Sequence, residues 1–278
     1  MRLGLNGSTT DQCNLQEDLI VAETAGFDIV EPRTYKINTF LETNTVEDLN
    51  NLFEDSNVKP YAINAIEFFN LKTTKEEEEK VFQETEYWCK IAKTIGCPYV
   101  IAVPSEMNKE MKESEIKRDT IEMLLQMSDI ASEYNVNLAL EFIGFNSFSI
   151  RNLSLANEIV EEINRDNIGL VIDTYHFYLG NSSLESIEQV NKNNIFIFHI
   201  NDAENLPKEN LIEANRIFPG LGVIPLKQIG AALHKIGYNK MASLELFRPE
   251  YWKMEKQHLA NTALQHVKKT TDYMFSNM

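Results

Sequence analysis

Four apolar segments of the sequence each end in a residue that can bind a metal ion or exchange a proton. The segments LALEF, GLVID, FIFHI and SLELF carry Glu141, Asp173, His199 and Glu245 near their carboxyl ends. Burying a bare carboxylate is costly, and three carboxylates gathered together repel one another and raise their pKa values. A divalent cation relieves both costs, and carboxylate oxygens with one imidazole nitrogen suit Zn²⁺, Mn²⁺, Co²⁺ or Fe²⁺. The four residues therefore predict a site for one divalent metal ion.

Each of the four residues also has a structural explanation when it is taken alone. Glu141 could form a salt bridge, Asp173 could cap the helix that follows it, and Glu245 could pair with Arg248. His199 could be a hydrogen-bonded core histidine. These explanations require four independent coincidences at the same level of four segments, so the pattern favours the metal site.

The four segments belong to a series of eight short apolar runs that alternate with amphipathic stretches. The runs are continuous rather than alternating in polarity, which is typical of parallel strands covered by helices. They span residues 2–6, 28–33, 59–64, 98–103, 137–142, 168–173, 195–200 and 241–247. Helical spacing of apolar residues predicts helices over 15–25, 45–55, 76–95, 114–134, 153–163, 184–190, 226–236 and 255–273.

Eight strand–helix units in one chain of 278 residues predict an α/β fold, a (β/α)₈ TIM barrel forming a single domain over residues 1–278. A doubly wound open sheet is the alternative. In a barrel, the carboxyl ends of the strands build the active site. Because the four candidate ligands come from the fifth to eighth strands, their side chains are expected to converge on one side of the barrel mouth.

The composition excludes several classes of partner. A formal net charge of -16 disfavours binding to nucleic acid or to an anionic membrane surface. The amino-terminal MRLGLNGSTT lacks a signal-peptide pattern, and no apolar run is long enough to span a membrane. The three cysteines form no disulfide or zinc framework and are expected to be buried free thiols. These features predict a cytoplasmic protein, and the sequence leaves open whether it forms a homo-oligomer.

A longer motif resembles one that is found in a known protein family. Residues 199–222, HINDAENLPKENLIEANRIFPGLG, contain H-x-x-D, a later arginine and P-G-x-G. Together with LALEF, GLVIDTYHF and SLELFRPEYW, this motif makes the whole chain resemble the xylose-isomerase-like barrel superfamily of sugar isomerases, epimerases and related metal enzymes. The segments NGSTT, INAIEFFN, VIAVP, NRDNIGLVIDTYHF and LFRPEYW make it similar, within that superfamily, to the inosose isomerases of myo-inositol catabolism.

The resemblance implies a small-molecule polyol substrate and a metal-dependent isomerisation. The implied reaction moves a ketone between neighbouring ring carbons, from 2-keto-myo-inositol (scyllo-inosose) to 1-keto-D-chiro-inositol, through an enediolate. The metal ligands of the family fall on the four residues identified above. The expected acid/base pair is Glu141 and Glu245, and His176 is a further catalytic candidate as a proton shuttle. Expected substrate contacts are Arg216, Asp202, Trp252, Asn6 and Asn64.

Other functions remain open at this stage. The same four ligands would serve another sugar or polyol isomerase, a ketose 3-epimerase or a dehydratase. A metal-dependent endonuclease for abasic DNA shares the barrel, but five histidines and the negative charge count against it. The non-enzymatic alternative is a barrel that binds a sugar without converting it.

Overall fold

The computed structural model describes residues 1–107 and 111–276, and its strands follow the predicted series closely. They are β1 (Arg2–Asn6), β2 (Ile29–Glu31), β3 (Lys59–Pro60), β4 (Ala62–Ile66), β5 (Tyr99–Ala102), β6 (Asn137–Glu141), β7 (Ile168–Asp173), β8 (Ile195–Ile200), β9 (Asp202–Ala203), β10 (Arg216–Ile217) and β11 (Met241–Leu244). The parallel sheet has the order β3-β2-β1-β11-β8-β7-β6-β5-β4, and β9 pairs with β10 in a separate antiparallel ribbon.

The predicted third strand is interrupted at Tyr61, and this interruption lets the sheet close on itself. Its first half, β3, pairs with β2, and its second half, β4, pairs with β5. The Tyr61 amide donates to the Val30 carbonyl at 2.8 Å, and the Asn64 amide donates to the Pro32 carbonyl at 3.1 Å. The two ends of the sheet are therefore joined through one chain segment, and the predicted TIM barrel is confirmed.

The strands are continuous apolar runs because side chains fill the barrel interior and helices cover its outside. Every residue of β7 and β8 is buried. Their register pairs Asp173 with His199, so the polar residues that end these two strands lie at the same level. The barrel thus collects the polar ends of its strands at one rim and leaves the rest of its interior apolar.

Helices follow the strands around the outside of the barrel. They are α1 (Leu15–Ala25), α2 (Thr34–Leu41), α3 (Val46–Asp55), α4 (Lys75–Thr94), α5 (Glu113–Glu133), α6 (Leu153–Ile163), α7 (Thr174–Leu179), α8 (Leu184–Gln189), α9 (Leu226–Lys235) and α10 (Lys256–Met274). Capping boxes start α1, α3 and α4 at Asn14, Thr45 and Thr74. In the part of the chain that the structure describes, no helix is long and apolar enough to cross a membrane.

Two helices were not predicted from the sequence, α2 and α7. α2 follows Arg33 without a side-chain cap, so it lacks the usual start signal. α7 has the sequence TYHFYL, which is too short and too uniformly apolar or aromatic to show a helical period, and Asp173 caps it by accepting from the His176 amide. Both helices start directly at strand ends and shape the loops around the barrel mouth.

The three cysteines are free and buried, as predicted. Burial raises the pKa of each thiol, Cys13, Cys89 and Cys97, to about 12. A thiol with so high a pKa is a poor nucleophile at neutral pH. The cysteines therefore act as small core residues.

A buried ion pair anchors the loop between β1 and α1. The Lys36 ammonium donates to Asp18 Oδ2 at 2.7 Å and to the carbonyls of Gly7 and Thr10 at 2.9 Å each. The Thr10 hydroxyl donates to Asp18 Oδ1 at 2.7 Å. Both charges are thus fully hydrogen-bonded, and they fix α2 against the loop that leaves the first strand at the barrel mouth.

Lys36→Met is expected to lower the free energy of unfolding by about 3–5 kcal/mol, because burial raises the pKa of Asp18 to about 7 even beside Lys36, and without that cation the carboxylate must stay charged and unpaired or take up a proton. Urea denaturation followed by circular dichroism measures the change. The double variant Asp18→Asn/Lys36→Met removes both charges and should lose less stability than Lys36→Met alone. Equal losses in the single and double variants would show that the ion pair has no such role.

Candidate metal centre

The four predicted ligands meet at the carboxyl ends of their strands. Glu141 ends β6, Asp173 ends β7, His199 lies in β8, and Glu245 directly follows β11. One ligand atom from each residue lies within 4.8 Å of those of the others, and all four side chains are buried. We call these four residues the metal cluster. The four ligand atoms are close enough together for a single cation to bind all of them.

His199 turns one ring nitrogen toward the three carboxylates and the other away from them. Nδ1 lies 3.2 Å from Glu141 Oε1, 3.2 Å from Glu245 Oε2 and 4.0 Å from Asp173 Oδ2. Nε2 lies 2.9 Å from Oε2 of Glu31, which ends β2. The nitrogen that can bind a metal shared with the carboxylates is therefore Nδ1.

The electrostatics of the metal cluster fit a divalent cation. Burial, followed by the charge of Glu245, raises the pKa of Glu141 to about 7. Burial alone would lower the pKa of His199, but the carboxylates of Glu31, Glu245 and Glu141 outweigh it and hold that pKa well above its usual range. Both shifts report concentrated negative charge, which a cation would neutralise.

The charged groups around the metal cluster also favour a divalent cation. Glu31 and the three acidic members of the metal cluster contribute four carboxylates to this region. Arg33 and Arg216 contribute two guanidinium groups, each within 3.6 Å of a Glu245 carboxylate oxygen. Glu213 and Glu67 also contact these two guanidinium groups, so carboxylates outnumber cations here, and a divalent ion would reduce the excess negative charge. The donor set of oxygens with one imidazole nitrogen is suited to Zn²⁺, Mn²⁺ or Co²⁺.

Glu245 is held by donors from three other parts of the barrel. The side-chain amides of Asn6 and Asn64 donate to Oε1 at 3.1 and 3.0 Å, and Arg216 Nη1 donates to Oε2 at 3.4 Å. Burial alone would raise the pKa of Glu245, but His199 and the two arginines lower it below its usual range. Glu245 is therefore an ionised carboxylate with both oxygens oriented.

These contacts change the interpretation of Asn6 and Asn64, which we expected to bind substrate. Asn6 accepts from the Ser8 amide at 3.0 Å and donates to Glu245, so both ends of its side chain are used, and it does not line the cavity. Asn64 lines the cavity, but it donates to Glu245 and accepts from Arg33 at 2.6 Å. Both residues position a ligand of the metal cluster.

Asp173 combines a structural role with its place in the metal cluster. Oδ1 accepts from the His176 amide at 2.8 Å and so caps α7. Oδ2 accepts from Asn201 Nδ2 and from Arg216 Nη1, each at 2.7 Å. Burial opposes ionisation, but the charge of Arg216 lowers the pKa of Asp173 below its usual value. The helix cap and the metal-cluster position are thus compatible in one residue.

His176 and Arg216 lie together beside the metal cluster, and both line the cavity. Arg216 Nη2 donates to His176 Nε2 at 2.9 Å. Because a guanidinium has no acceptor, Nε2 must accept, and burial followed by the Arg216 charge lowers the pKa of His176. The imidazole is neutral with its Nε2 lone pair occupied, which is a poor arrangement for a proton shuttle. Its catalytic role stays a prediction.

Asp202 and Trp252 do not line the cavity, in contrast to the expected substrate contacts. The Asp202 carboxylate accepts from the backbone amides of Ala203, Gly220, Gly222 and Ile224 at 2.9 to 3.0 Å, which leaves it committed to the P-G-x-G loop. The Trp252 indole donates to the Ser8 carbonyl at 3.0 Å. Both residues fix loops around the mouth.

The P-G-x-G motif requires its second glycine for packing. A Cβ on Gly222 would lie 2.1 Å from the Ala203 carbonyl oxygen and 2.5 Å from Asp202 Oδ1. Any side chain there would displace the loop from the carboxylate that holds it. Close packing of this loop against β9 therefore accounts for the second glycine of the motif.

A cavity of about 570 Å³ opens above the metal cluster. Glu141, Glu245, His176 and Arg216 contribute to its polar side. Its apolar wall includes Phe68, Phe145, Phe148 and Phe247. The aromatic wall was not predicted, because these phenylalanines lie in loops without a periodic pattern. The GFNSF segment after the fifth predicted strand was the one available signal.

Comparisons with known proteins agree with this geometry. The family model described as xylose isomerase-like TIM barrel matches residues 19–270. The inosose isomerase of Bacillus velezensis is 38% identical over 278 residues, which cover 99% of this chain and 98% of the relative. The inosose isomerase of Bacillus subtilis is 39% identical over 273 residues, covering 98% of this chain and 96% of the relative.

A solved structure extends the similarity to three dimensions. The crystal structure of IOLI protein with a bound zinc atom superposes with a TM-score of 0.96 at 36% identity and covers 100% of both chains. The family match, the full-length relatives and the shared barrel lead to one conclusion. The chain belongs to the xylose isomerase-like TIM barrel family.

Proposed function

We propose that this chain is a metal-dependent inosose isomerase that interconverts 2-keto-myo-inositol and 1-keto-D-chiro-inositol. The observation that carries the proposal is the metal cluster at the floor of a cavity large enough for a six-membered polyol ring. Full-length identity of 38% to an inosose isomerase supports this substrate over other polyols.

The metal cluster would hold the divalent ion through Glu141, Asp173, His199 and Glu245. When bound, the ion supplies Lewis-acid stabilisation of the negative charge that develops on the substrate oxygens. The remaining requirement is proton transfer. A proton must leave the carbon that bears the hydroxyl group, and a proton must reach the former carbonyl carbon. The hydroxyl oxygen must also lose its proton, and the former carbonyl oxygen must gain one.

Glu141 is the better placed of the two glutamates to move the carbon-bound proton. Within residues 1–107 and 111–276, its hydrogen-bond partner is His199, at Oε1. Oε2 is therefore free to reach a substrate in the cavity. Glu245, whose two oxygens are both held by donors, would be the second acid/base group and would face the ring from the other side of the metal cluster.

The walls of the cavity suit an uncharged substrate. Within residues 1–107 and 111–276, the two cations that line it are already paired: Arg33 lies 3.7 Å from Glu67 and 3.6 Å from Glu245, and Arg216 contacts Asp173. The lining also includes Glu67, Glu106 and Glu213, whose carboxylates would repel a phosphate. The phenylalanine wall offers apolar surface to the C–H bonds of a ring. A neutral polyol fits this environment better than a sugar phosphate or a nucleic acid does.

Glu141→Gln and Glu245→Gln are each expected to reduce turnover of 2-keto-myo-inositol by about 10²- to 10⁴-fold, because each removes an acid/base group and a metal ligand. Circular dichroism should show an unchanged fold. The matched control is Glu204→Gln, since Glu204 pairs with Arg248 at 2.7 Å and lies outside the cavity. Wild-type turnover in either cavity variant would contradict the assignment.

Removal of the metal with a chelator should abolish activity, and Zn²⁺, Mn²⁺ or Co²⁺ should restore it. Elemental analysis of the same samples measures the bound metal. Product analysis should show unchanged mass and a moved carbonyl, whereas loss of water would indicate a dehydratase and an inverted carbinol centre would indicate an epimerase. Full activity at near-zero metal content is incompatible with the proposal.

Phosphorylated polyols should bind poorly. myo-Inositol 1-phosphate is expected to inhibit at least about tenfold more weakly than myo-inositol, because the acidic lining opposes the phosphate. Competition assays with 2-keto-myo-inositol at constant ionic strength measure both inhibition constants. Equal or tighter inhibition by the phosphate would show that the lining does not select for neutral ligands.

A further inference from the structure

Glu31 makes an unusual contact across the barrel interior. It ends β2, which is separated from β8 by β1 and β11 in the sheet order, yet its Oε2 lies 2.9 Å from His199 Nε2. The exposed fraction of Glu31 is 0%, and it does not line the cavity. Its contact with His199 is the one ion pair that it makes with the part of the chain that the structure describes.

The contact determines which nitrogen of His199 is free. A neutral imidazole carries one N–H and one lone pair, and the partner of one nitrogen sets the state of the other. In a neutral His199 whose Nε2–H donates to Glu31, the lone pair is on Nδ1, the nitrogen that faces Glu141 and Glu245 at 3.2 Å each. This is the tautomer that a metal ion shared with those carboxylates requires.

The second oxygen of Glu31 supports a specific role. Oε1 is buried and has no hydrogen-bond partner within the described residues. A carboxylate kept for structural reasons alone would normally have both oxygens satisfied, because an unpaired buried acceptor is destabilising.

We infer that Glu31 is a positioning residue that fixes the metal-binding tautomer and ring orientation of His199. The inference rests on the proposed metal site. Glu31 is not placed to be a ligand of the same ion, since the two nitrogens of an imidazole point in diverging directions from opposite edges of the ring. Its effect on the reaction is therefore exerted through His199.

Two variants at this position distinguish the role of Glu31 as a hydrogen-bond acceptor from the role of its negative charge. Glu31→Leu removes the acceptor at similar volume, and Glu31→Gln keeps an oxygen that can accept from Nε2–H. Zn²⁺ affinity, measured by competition with a chelating dye, should fall about 10- to 100-fold in Glu31→Leu. Glu31→Gln should keep most of the affinity that Glu31→Leu loses. Its Zn²⁺ affinity should be less than about tenfold below that of the wild-type protein.

The Co²⁺ absorption spectrum provides a readout that does not depend on turnover. It should be similar in Glu31→Gln and the wild-type protein, because the set of metal ligands is unchanged. Wild-type Zn²⁺ affinity in a folded Glu31→Leu protein would overturn the inference. If Glu31→Leu does not fold, Glu31→Gln still decides: a loss of 100-fold or more together with a changed Co²⁺ spectrum would identify Glu31 as a ligand and reject the positioning role.

The same measurements separate this inference from the proposed reaction. A wild-type protein that binds Zn²⁺ but does not isomerise 2-keto-myo-inositol would refute the proposed function, while the affinity ratio between the two variants would still test Glu31. A protein that does not bind Zn²⁺, Mn²⁺ or Co²⁺ at all would refute both.

Discussion

The rest of the site depends on the concentration of negative charge at one end of an apolar barrel. Three carboxylates lie within reach of one another where water is largely excluded, so repulsion between them must be compensated. The pKa of Glu141 is raised first by burial and then by the charge of Glu245. Arg216 and Arg33 compensate part of the repulsion, and a divalent ion is the natural group to compensate the remainder. The strands around this end carry residues, such as Asn6 and Asn64, that donate hydrogen bonds to these charges.

The balancing groups come from distant parts of the chain, which is why the closed barrel is needed. Asn6 from β1 and Asn64 from β4 both donate to Glu245, and Glu31 from β2 contacts His199. β1 pairs directly with β11, but β4 lies at the opposite end of the sheet order and would be far from β11 if the sheet were open. Closure through the interrupted third strand brings β4, and with it Asn64, to the ligands supplied by the second half of the chain. The contacts that support the metal cluster therefore require the closed barrel.

The sequence predicted the barrel and the meeting of the four ligands, because a polar residue at the end of an apolar strand is a strong local signal. It did not predict what the neighbouring polar residues do. Asn6, Asn64 and Asp202 are also buried polar residues in strands, yet they hold Glu245 or the P-G-x-G loop. Which partner a side chain finds depends on distances across the barrel, and no spacing along the chain encodes those distances. The aromatic wall was missed for a similar reason, since Phe68 and Phe148 meet from separate loops.

The fit of Gly222 against Asp202 also bears on how such proteins should be recognised. The H-x-x-D…P-G-x-G stretch combines one ligand, His199, with a carboxylate and a glycine that maintain a loop. Most of its distinctive residues would persist under selection for folding alone, even after the reaction had changed or been lost. A search for the motif would thus retrieve barrels with many activities. A better guide to which barrels bind a cation is the identity of the residues at the ends of the second, fifth, sixth and eighth strands of the ring. In this chain they are Glu31, Glu141, Asp173 and Glu245.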